Sequence, residues 1–294
     1  MSTAPDQRIS GPGAPAHVGV LGGGRMGAGI AHAFLLAGSR VTVVERDEQS
    51  MDAASARIRD SLARSVQRGT AALALDALER ALETGMDVEA FAACGLVIEA
   101  VPEDRASKVE ALARVEGVLP DDVVVASNTS SISIDDLAGE LRRPARFLGM
   151  HFFNPVPASA LVEIVMGAAT DPGLDTVART WVAAIGKTPI VVRDAPGFAS
   201  SRLGVALGLE AIRMLQEGVA TAEDIDLAMQ LGYRHPMGPL RTTDVVGLDV
   251  RLGIAEELHR KLGERFAPPE LLQRLVGEGH LGRKTGRGFY EWSD

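Results

Sequence analysis

A short apolar run, His17-Val18-Gly19-Val20-Leu21, leads directly into Gly22-Gly23-Gly24-Arg25-Met26-Gly27 and then into a helical pattern. No other stretch constrains the fold as tightly, because strand, G-x-G-x-x-G turn and helix in succession form the opening unit of a parallel sheet. Gly22 permits the tight turn, Gly24 lets the backbone approach a pyrophosphate, and Gly27 lets the helix lie close to the strand while its first N–H groups face the phosphates. A merely flexible glycine turn is the alternative. A second run, Val41-Thr42-Val43-Val44, ends at Glu45, eighteen residues beyond Gly27. A carboxylate there accepts hydrogen bonds from adenosine ribose hydroxyls and repels a 2′-phosphate, which favours NAD over NADP. Arg46 acts in the opposite sense, since a guanidinium beside the ribose could pair with that phosphate. Arg25 and Met26, inside the loop, are counted with Gly22, Gly24, Gly27 and Glu45 as cofactor-binding positions.

Length and charge set the outer bounds. The chain has 294 residues, 46% hydrophobic and 23% charged, enough for about two globular domains. Its net charge of -9 provides no field for a polyanion, so nucleic acid is not an expected partner. The single cysteine, Cys94, excludes an internal disulfide and a cysteine-rich zinc site, suits a reducing compartment, and sits in an apolar run as a core residue would. No metal site is expected. No apolar stretch approaches the ~20 residues of a membrane helix, and residues 1–16, rich in Gly, Pro, Ser and Ala, lack a secretory apolar core. This segment is expected to be a flexible tail and the protein cytoplasmic, with no membrane partner.

Between His17 and Arg193, short β-branched runs alternate with longer helical patterns, the signature of an α/β domain with a mostly parallel sheet. Strands are expected over 17–21, 41–45, 96–101, 123–127, 146–151, 161–166 and 188–193, with helices over 25–37, 47–68, 105–119 and 174–185. Beyond Asp194 the strand-like runs vanish. Helical periodicity covers 198–217, 222–231, 243–262 and 268–276, with Gly or Pro at most breaks. The reading is a Rossmann-type domain over 17–193 followed by an all-helical domain over 194–294.

Oxidising a secondary alcohol requires a base for the hydroxyl proton while a nicotinamide takes the hydride, and histidine titrates in the useful range. Of the six histidines, His17 opens a strand, His32 lies within the first helix, His235 precedes a proline in a turn, and His259 and His280 have charged or glycine-rich helical surroundings. His151 instead ends a strand and begins a loop containing Asn154 and two prolines, where ligands approach such sheets. Twelve residues on, Glu163 interrupts the apolar run 161–166. It either faces solvent on an edge strand or is buried and paired.

The loop Gly22 to Ala31, together with Ser127-Asn128-Thr129-Ser130-Ser131 and His151-Phe152-Phe153-Asn154-Pro155, resembles the L-3-hydroxyacyl-CoA dehydrogenase family. The likeness runs from His17 to the C-terminus through Glu99-Ala100-Val101-Pro102-Glu103, Pro196-Gly197-Phe198, His235-Pro236-Met237-Gly238-Pro239 and Lys284-Thr285-Gly286-Arg287-Gly288-Phe289-Tyr290. It implies a Rossmann-type domain plus a helical domain forming a homodimer. It also implies an acyl-CoA substrate and a His151–Glu163 pair in which Glu163 orients the catalytic base. By the same likeness, Ser130 and Asn154 meet substrate and nicotinamide, Glu103, Lys108 and Lys284 meet the cofactor, and Ser61 and Arg68, seven apart on one helix face, meet the coenzyme A moiety. Arg68 often stands as lysine in the family, which preserves its charge. Ser201 is a departure, because the family commonly has asparagine at that site; serine is shorter but still donates and accepts. The implied reaction is NAD-dependent interconversion of (S)-3-hydroxyacyl-CoA and 3-oxoacyl-CoA. A dehydrogenase of a free hydroxy or sugar acid, resembling gulonate dehydrogenase and lambda-crystallin, would not use the Ser61/Arg68 face. A non-catalytic NAD-binding protein is the third reading.

Overall fold

The computed structural model describes residues 13–293, which form two compact units divided between Asp194 and Ala195. The first unit holds eight strands: β1 (His17–Leu21), β2 (Arg40–Val44), β3 (Leu82–Gly85), β4 (Leu96–Glu99), β5 (Val124–Ser127), β6 (Phe147–Phe152), β7 (Leu161–Met166) and β8 (Thr188–Arg193). Their spatial order is β3-β2-β1-β4-β5-β6-β7-β8, and every neighbouring pair is parallel except β6 with β7. Parallel neighbours need crossovers. These are supplied by α1 (Arg25–Leu36), α2 (Glu48–Gln67), α3 (Leu75–Arg80), α4 (Arg105–Val118), α5 (Ile134–Ala138) and α6 (Leu174–Ala184). Because the central strands are covered on both faces they read as apolar runs: Val18, Val20, Val41, Leu96 and Ile98 are completely buried. Helix α2 shows the one-sided pattern instead, burying Ala54, Ile58 and Leu62 at four-residue intervals, and it starts where Asp47 accepts a hydrogen bond from the Ser50 amide at 2.7 Å. Cys94 is fully buried, and that burial pushes its thiol up to about 12.

Several elements differ from the sequence-based expectation, each for a physical reason. Strand β3, Leu-Glu-Thr-Gly, was not anticipated because it is an edge strand paired only with β2 and carries one buried apolar side chain. Helices α3 and α5 are too short to establish a periodicity. The strand expected over 96–101 stops at Glu99, where the Val101 amide turns back to donate to the Glu99 carboxylate at 2.7 Å. Of the tail expected to be flexible over 1–16, residues 1–12 lie outside the described residues. Pro15 is buried and its carbonyl accepts the Ser39 hydroxyl at 2.7 Å, while the Ala16 carbonyl accepts the Arg40 amide at 2.9 Å.

The second unit contains α7 (Ser200–Gln216), α8 (Ala222–Leu227), α9 (Pro239–Val246), α10 (Leu248–Leu262) and α11 (Glu270–Gly277). The single helix expected over 243–262 is interrupted at Gly247, whose φ of +107° is open to glycine and hostile to other residues. The helix expected over 222–231 leaves α geometry at Leu227 and finishes as a π-helical turn, Ala228–Gly232. Val205, Leu209 and Ile212 of α7 pack with Leu240, Leu258 and Leu272 in its core. Two buried aspartates tie the C-terminal segment to this core. Asp244 accepts the amides of Phe289 (2.9 Å) and Tyr290 (3.0 Å) and the Trp292 indole N–H (2.7 Å). Asp226 accepts the amides of Leu240 and Arg241 at 2.8 and 2.9 Å and the Tyr290 hydroxyl at 2.8 Å.

Asp244→Ala removes one acceptor from three donors at once, and the loss is expected to reach at least about 3 kcal/mol. Urea unfolding checks the magnitude, and limited proteolysis is expected to cut the segment after Gly279 faster than in the parent protein.

Candidate active site

The loops that follow β1, β2, β4, β5 and β6 emerge at one edge of the sheet, because these five strands run parallel and lie side by side. That edge is where open α/β sheets receive ligands. It gathers the glycine loop, Glu45, Glu103, Ser130, His151 and Asn154 by topology alone.

In the glycine loop each glycine meets a different requirement. Gly22 has φ +92°, and a methyl group on Gly27 would collide with the Gly22 carbonyl oxygen, so α1 sits as close to β1 as a backbone allows. Gly24 differs: a Cβ there would meet nothing within 4 Å, so no neighbouring protein atom excludes a side chain at this position. The space before α1 is open, no side chain caps the helix, and its first turn contains no acid, a setting suited to an anion. Glu45 accepts the Gly23 amide on Oε1 at 2.6 Å and the Arg46 amide on Oε2 at 3.3 Å. A carboxylate has about four lone-pair sites, so acceptor capacity remains for ribose hydroxyls. Arg46, the residue that would favour a 2′-phosphate, is engaged with Asp47 at 2.8 Å. The residues present therefore fit NAD. Arg57 on α2 donates to the Gly23 carbonyl at 2.8 Å, a support for the loop that sequence reasoning missed because an arginine on a polar helix face reads as solvated.

The antiparallel step from β6 to β7 builds the second part. Its register sets His151 directly opposite Glu163, and His151 Nδ1 lies 2.8 Å from Glu163 Oε2. Glu163 is 0% exposed and His151 6%, which answers the choice between a solvent-facing and a buried, paired carboxylate in favour of the latter. The Phe153 ring stands 4.5 Å from the imidazole. Asn154, exposed, precedes Pro155 through a cis peptide bond. The Asn128 side-chain oxygen accepts the Phe152 amide at 2.9 Å and so fastens the loop after β5 to the strand carrying His151. Asn128 is part of a motif that carries the likeness but received no role of its own, because it sits in a polar run that any turn could contain.

Ser130 is tied to Glu103, whose Oε1 accepts its amide at 2.8 Å and its hydroxyl at 3.1 Å. Lys108 is not at the surface. Only 1% exposed, it donates to Glu99 Oε1 at 2.7 Å. Glu99, named in the sequence only as part of the likeness, carries the same signal as Glu163, an acid in an apolar strand.

Ser61, half-buried, and Arg68, exposed at the C-cap of α2, share their helix but join none of these hydrogen bonds. Ser201 in the first turn of α7 and Lys284, whose ammonium meets both Asp249 oxygens at 2.6 Å, belong to the second unit. Among the described residues no group of three or more His, Cys, Asp or Glu could hold a metal, and no helix is long and apolar enough to cross a membrane.

Comparison with known proteins gives concordant results for both units. Residues 17–195 match the family model of the 3-hydroxyacyl-CoA dehydrogenase NAD binding domain, and residues 197–292 match that of the 3-hydroxyacyl-CoA dehydrogenase C-terminal domain. The chain is 43% identical over 283 residues to the 3-hydroxybutyryl-CoA dehydrogenase of Mycobacterium tuberculosis, covering 94% of this chain and 98% of the relative. It is 42% identical to that of Bradyrhizobium diazoefficiens, over 94% of each. The crystal structure of (S)-3-hydroxybutyryl-CoA dehydrogenase from Ralstonia eutropha superposes with a TM-score of 0.90 at 37% identity, covering 95% of this chain and 99% of that one.

The two glycines should separate binding from folding. Gly24→Ala is expected to change stability by no more than about 0.5 kcal/mol, because its new methyl meets no protein atom, yet to weaken NADH binding in a fluorescence titration. Gly27→Ala, forced against a carbonyl, is expected to cost about 1–3 kcal/mol in urea unfolding.

Proposed function

The chain belongs to the 3-hydroxyacyl-CoA dehydrogenase family, and we propose that it uses NAD to oxidise a short (S)-3-hydroxyacyl-CoA, of the 3-hydroxybutyryl class, with His151 as general base and Glu163 as its orienting partner. As a member it is an NAD-dependent 3-hydroxyacyl-CoA dehydrogenase. The observation carrying the assignment of roles is the buried 2.8 Å contact between His151 Nδ1 and Glu163. The Glu163 carboxylate accepts a hydrogen bond from Nδ1–H, which fixes the tautomer and leaves Nε2 as the basic nitrogen. As the substrate hydroxyl gives its proton to Nε2, the imidazolium that forms is stabilised by the carboxylate behind it. Bound NAD supplies the acceptor for the hydride leaving the carbinol carbon. Exclusion of water around the pair strengthens this charge compensation.

The remaining assignments follow from family likeness and chemistry. Ser130 and Asn154 offer hydrogen-bonding groups to the thioester and the nicotinamide, and Ser201 serves the substrate with a shorter reach than the family's asparagine. Ser61 and Arg68 take the coenzyme A moiety, where a guanidinium suits phosphate. Lys284 retains the cofactor role implied by likeness. The second unit exposes Leu203 (70%), Val245 (45%) and Val250 (44%), which supports its use as the surface of a homodimer. The lone buried Cys94 fits a cytoplasmic protein.

The reading is tested by following NADH formation with 3-hydroxyacyl-CoA thioesters and with the corresponding free acids. Turnover is expected with the thioesters, and turnover confined to the free acids overturns it. His151→Ala is expected to lower kcat by at least ~10²-fold while NADH affinity stays near its parent value. Glu163→Gln is expected to slow turnover and to move the acid limb of the pH–rate profile to lower pH, since the imidazolium loses its counter-charge. Full activity in either variant removes that residue's role.

A further inference from the structure

Lys108 is buried to 1% exposure, and the proton transfer makes no use of it. An ammonium has three N–H donors and no acceptor. Around Lys108 Nζ lie Glu99 Oε1 at 2.7 Å, the Val101 carbonyl at 3.2 Å and Glu103 Oε2 at 3.4 Å. Two of these oxygens accept its hydrogen bonds, and the third, Glu103 Oε2, stands at ion-pair distance, so the ammonium bridges two carboxylates. On the far side, Glu99 is itself fixed, its second oxygen accepting the Ser127 hydroxyl at 2.5 Å. On the near side, Glu103 Oε1 accepts the Thr129 hydroxyl at 2.7 Å, the Ser130 amide at 2.8 Å and the Ser131 amide at 3.0 Å. A continuous chain of contacts thus runs from the interior of β4 and β5 to the loop carrying Ser130.

We propose that Lys108 is a positioning residue: anchored by Glu99, which Ser127 fixes in turn, it holds the Glu103 carboxylate in place, and Glu103 holds the Ser130 loop. This rests on the assignment of Ser130 to the substrate made above. The electrostatics agree. Burial alone would raise the Glu103 carboxyl, but the Lys108 charge and the hydrogen bonds from Thr129, Ser130 and Ser131 outweigh it and hold the group below its usual range. Among the described residues Lys108 is the cation facing Glu103. Arg105, on the same helix, is engaged by Asp136 and Glu140, and Asp104 caps the helix through Ser107. A carboxyl held low contributes its full clasp above the ordinary carboxylate range and loses it as pH falls through its value in the folded protein. Removing the cation should release the loop at higher pH.

The test reads amide hydrogen exchange of residues 129–131 against pH in the cofactor-free protein, corrected for intrinsic exchange, beside NADH titration and the pH dependence of kcat/KM. In the Glu99→Gln, Lys108→Met double variant, which leaves no lone charge buried, the midpoint of loop release is expected to rise by about one pH unit or more. The acid limb of kcat/KM, carried by the His151 base, is expected to stay where it is, while NADH affinity changes by less than about threefold. Glu99→Gln alone is expected to move the midpoint the other way, to lower pH, because Lys108 then serves Glu103 as its one carboxylate. It keeps the question decidable if the double variant fails to fold, and a merely structural lysine predicts no such shift. An unmoved midpoint overturns the proposal, and a loss of NADH affinity of about tenfold or more with an unmoved midpoint makes Lys108 a cofactor contact. Loop exchange is read without substrate, so a failure of hydroxyacyl-CoA turnover leaves this result standing.

Discussion

A carboxylate enclosed inside a protein must be satisfied by the chain around it, and the placement of two such groups organises the functional edge of the sheet. Glu99 and Glu163 are both 0% exposed, each in or at the end of an otherwise apolar strand. Neither can be accommodated without a partner at fixed distance. Glu163 takes the imidazole of His151, and Glu99 takes the ammonium of Lys108 and the hydroxyl of Ser127. Each buried acid thereby fixes a group on a neighbouring element, His151 on β6 and Lys108 on α4. The second unit uses the same principle for architecture, since Asp226 and Asp244 collect donors from segments far apart in sequence.

The sheet's single reversal of direction explains why His151 and Glu163 meet. In a parallel sheet, residues twelve apart on successive strands cannot face each other, because a crossover of a dozen or more residues must intervene. The short return from β6 to β7 sets them in register, with Gly149 opposite Val165 and His151 opposite Glu163. That return lies at the edge where the parallel strands deliver the glycine loop, Glu103 and Ser130. Change of strand direction and change of chemical task therefore coincide.

The features legible in the sequence were those whose physics is local. The glycine loop was readable because turn, close approach and helix packing each demand glycine within six residues, and His151 because a polar residue at a strand's end is conspicuous. Glu163 left two readings open, since only the neighbouring strands determine whether a carboxylate in an apolar run faces water. Lys108 was harder: the likeness set it beside the cofactor, but nothing in a helical pattern shows that its ammonium is buried against Glu99, because that depends on β4 and the loop beyond Glu99. Strand β3 escaped notice for a related reason, because its pairing comes from backbone groups while its side chains carry little pattern. Gly247 shows the converse, for a glycine inside a long periodic stretch signals a break only once its positive φ is known.

Composition offered one clue whose meaning is structural. Of 30 basic residues four are lysine, and three of them act as short, fixed donors. Lys108 binds Glu99, Lys284 binds both oxygens of Asp249, and Lys187 donates to the carbonyls of Val156 and Ser159 at 2.6 and 2.5 Å. The last fastens the loop that begins with Asn154, and its burial lowers the ammonium below the ordinary lysine range. A guanidinium is planar and spreads its charge over five donors, which suits exposed carboxylates such as those met by Arg105. An ammonium is compact and can turn its donors toward oxygens arranged in three dimensions. Where oxygens surround one point in three dimensions, as around Lys108 and Lys187, a compact ammonium fits better than a planar fork. A chain otherwise rich in arginine therefore has a physical reason to keep lysine at positions such as 108 and 187.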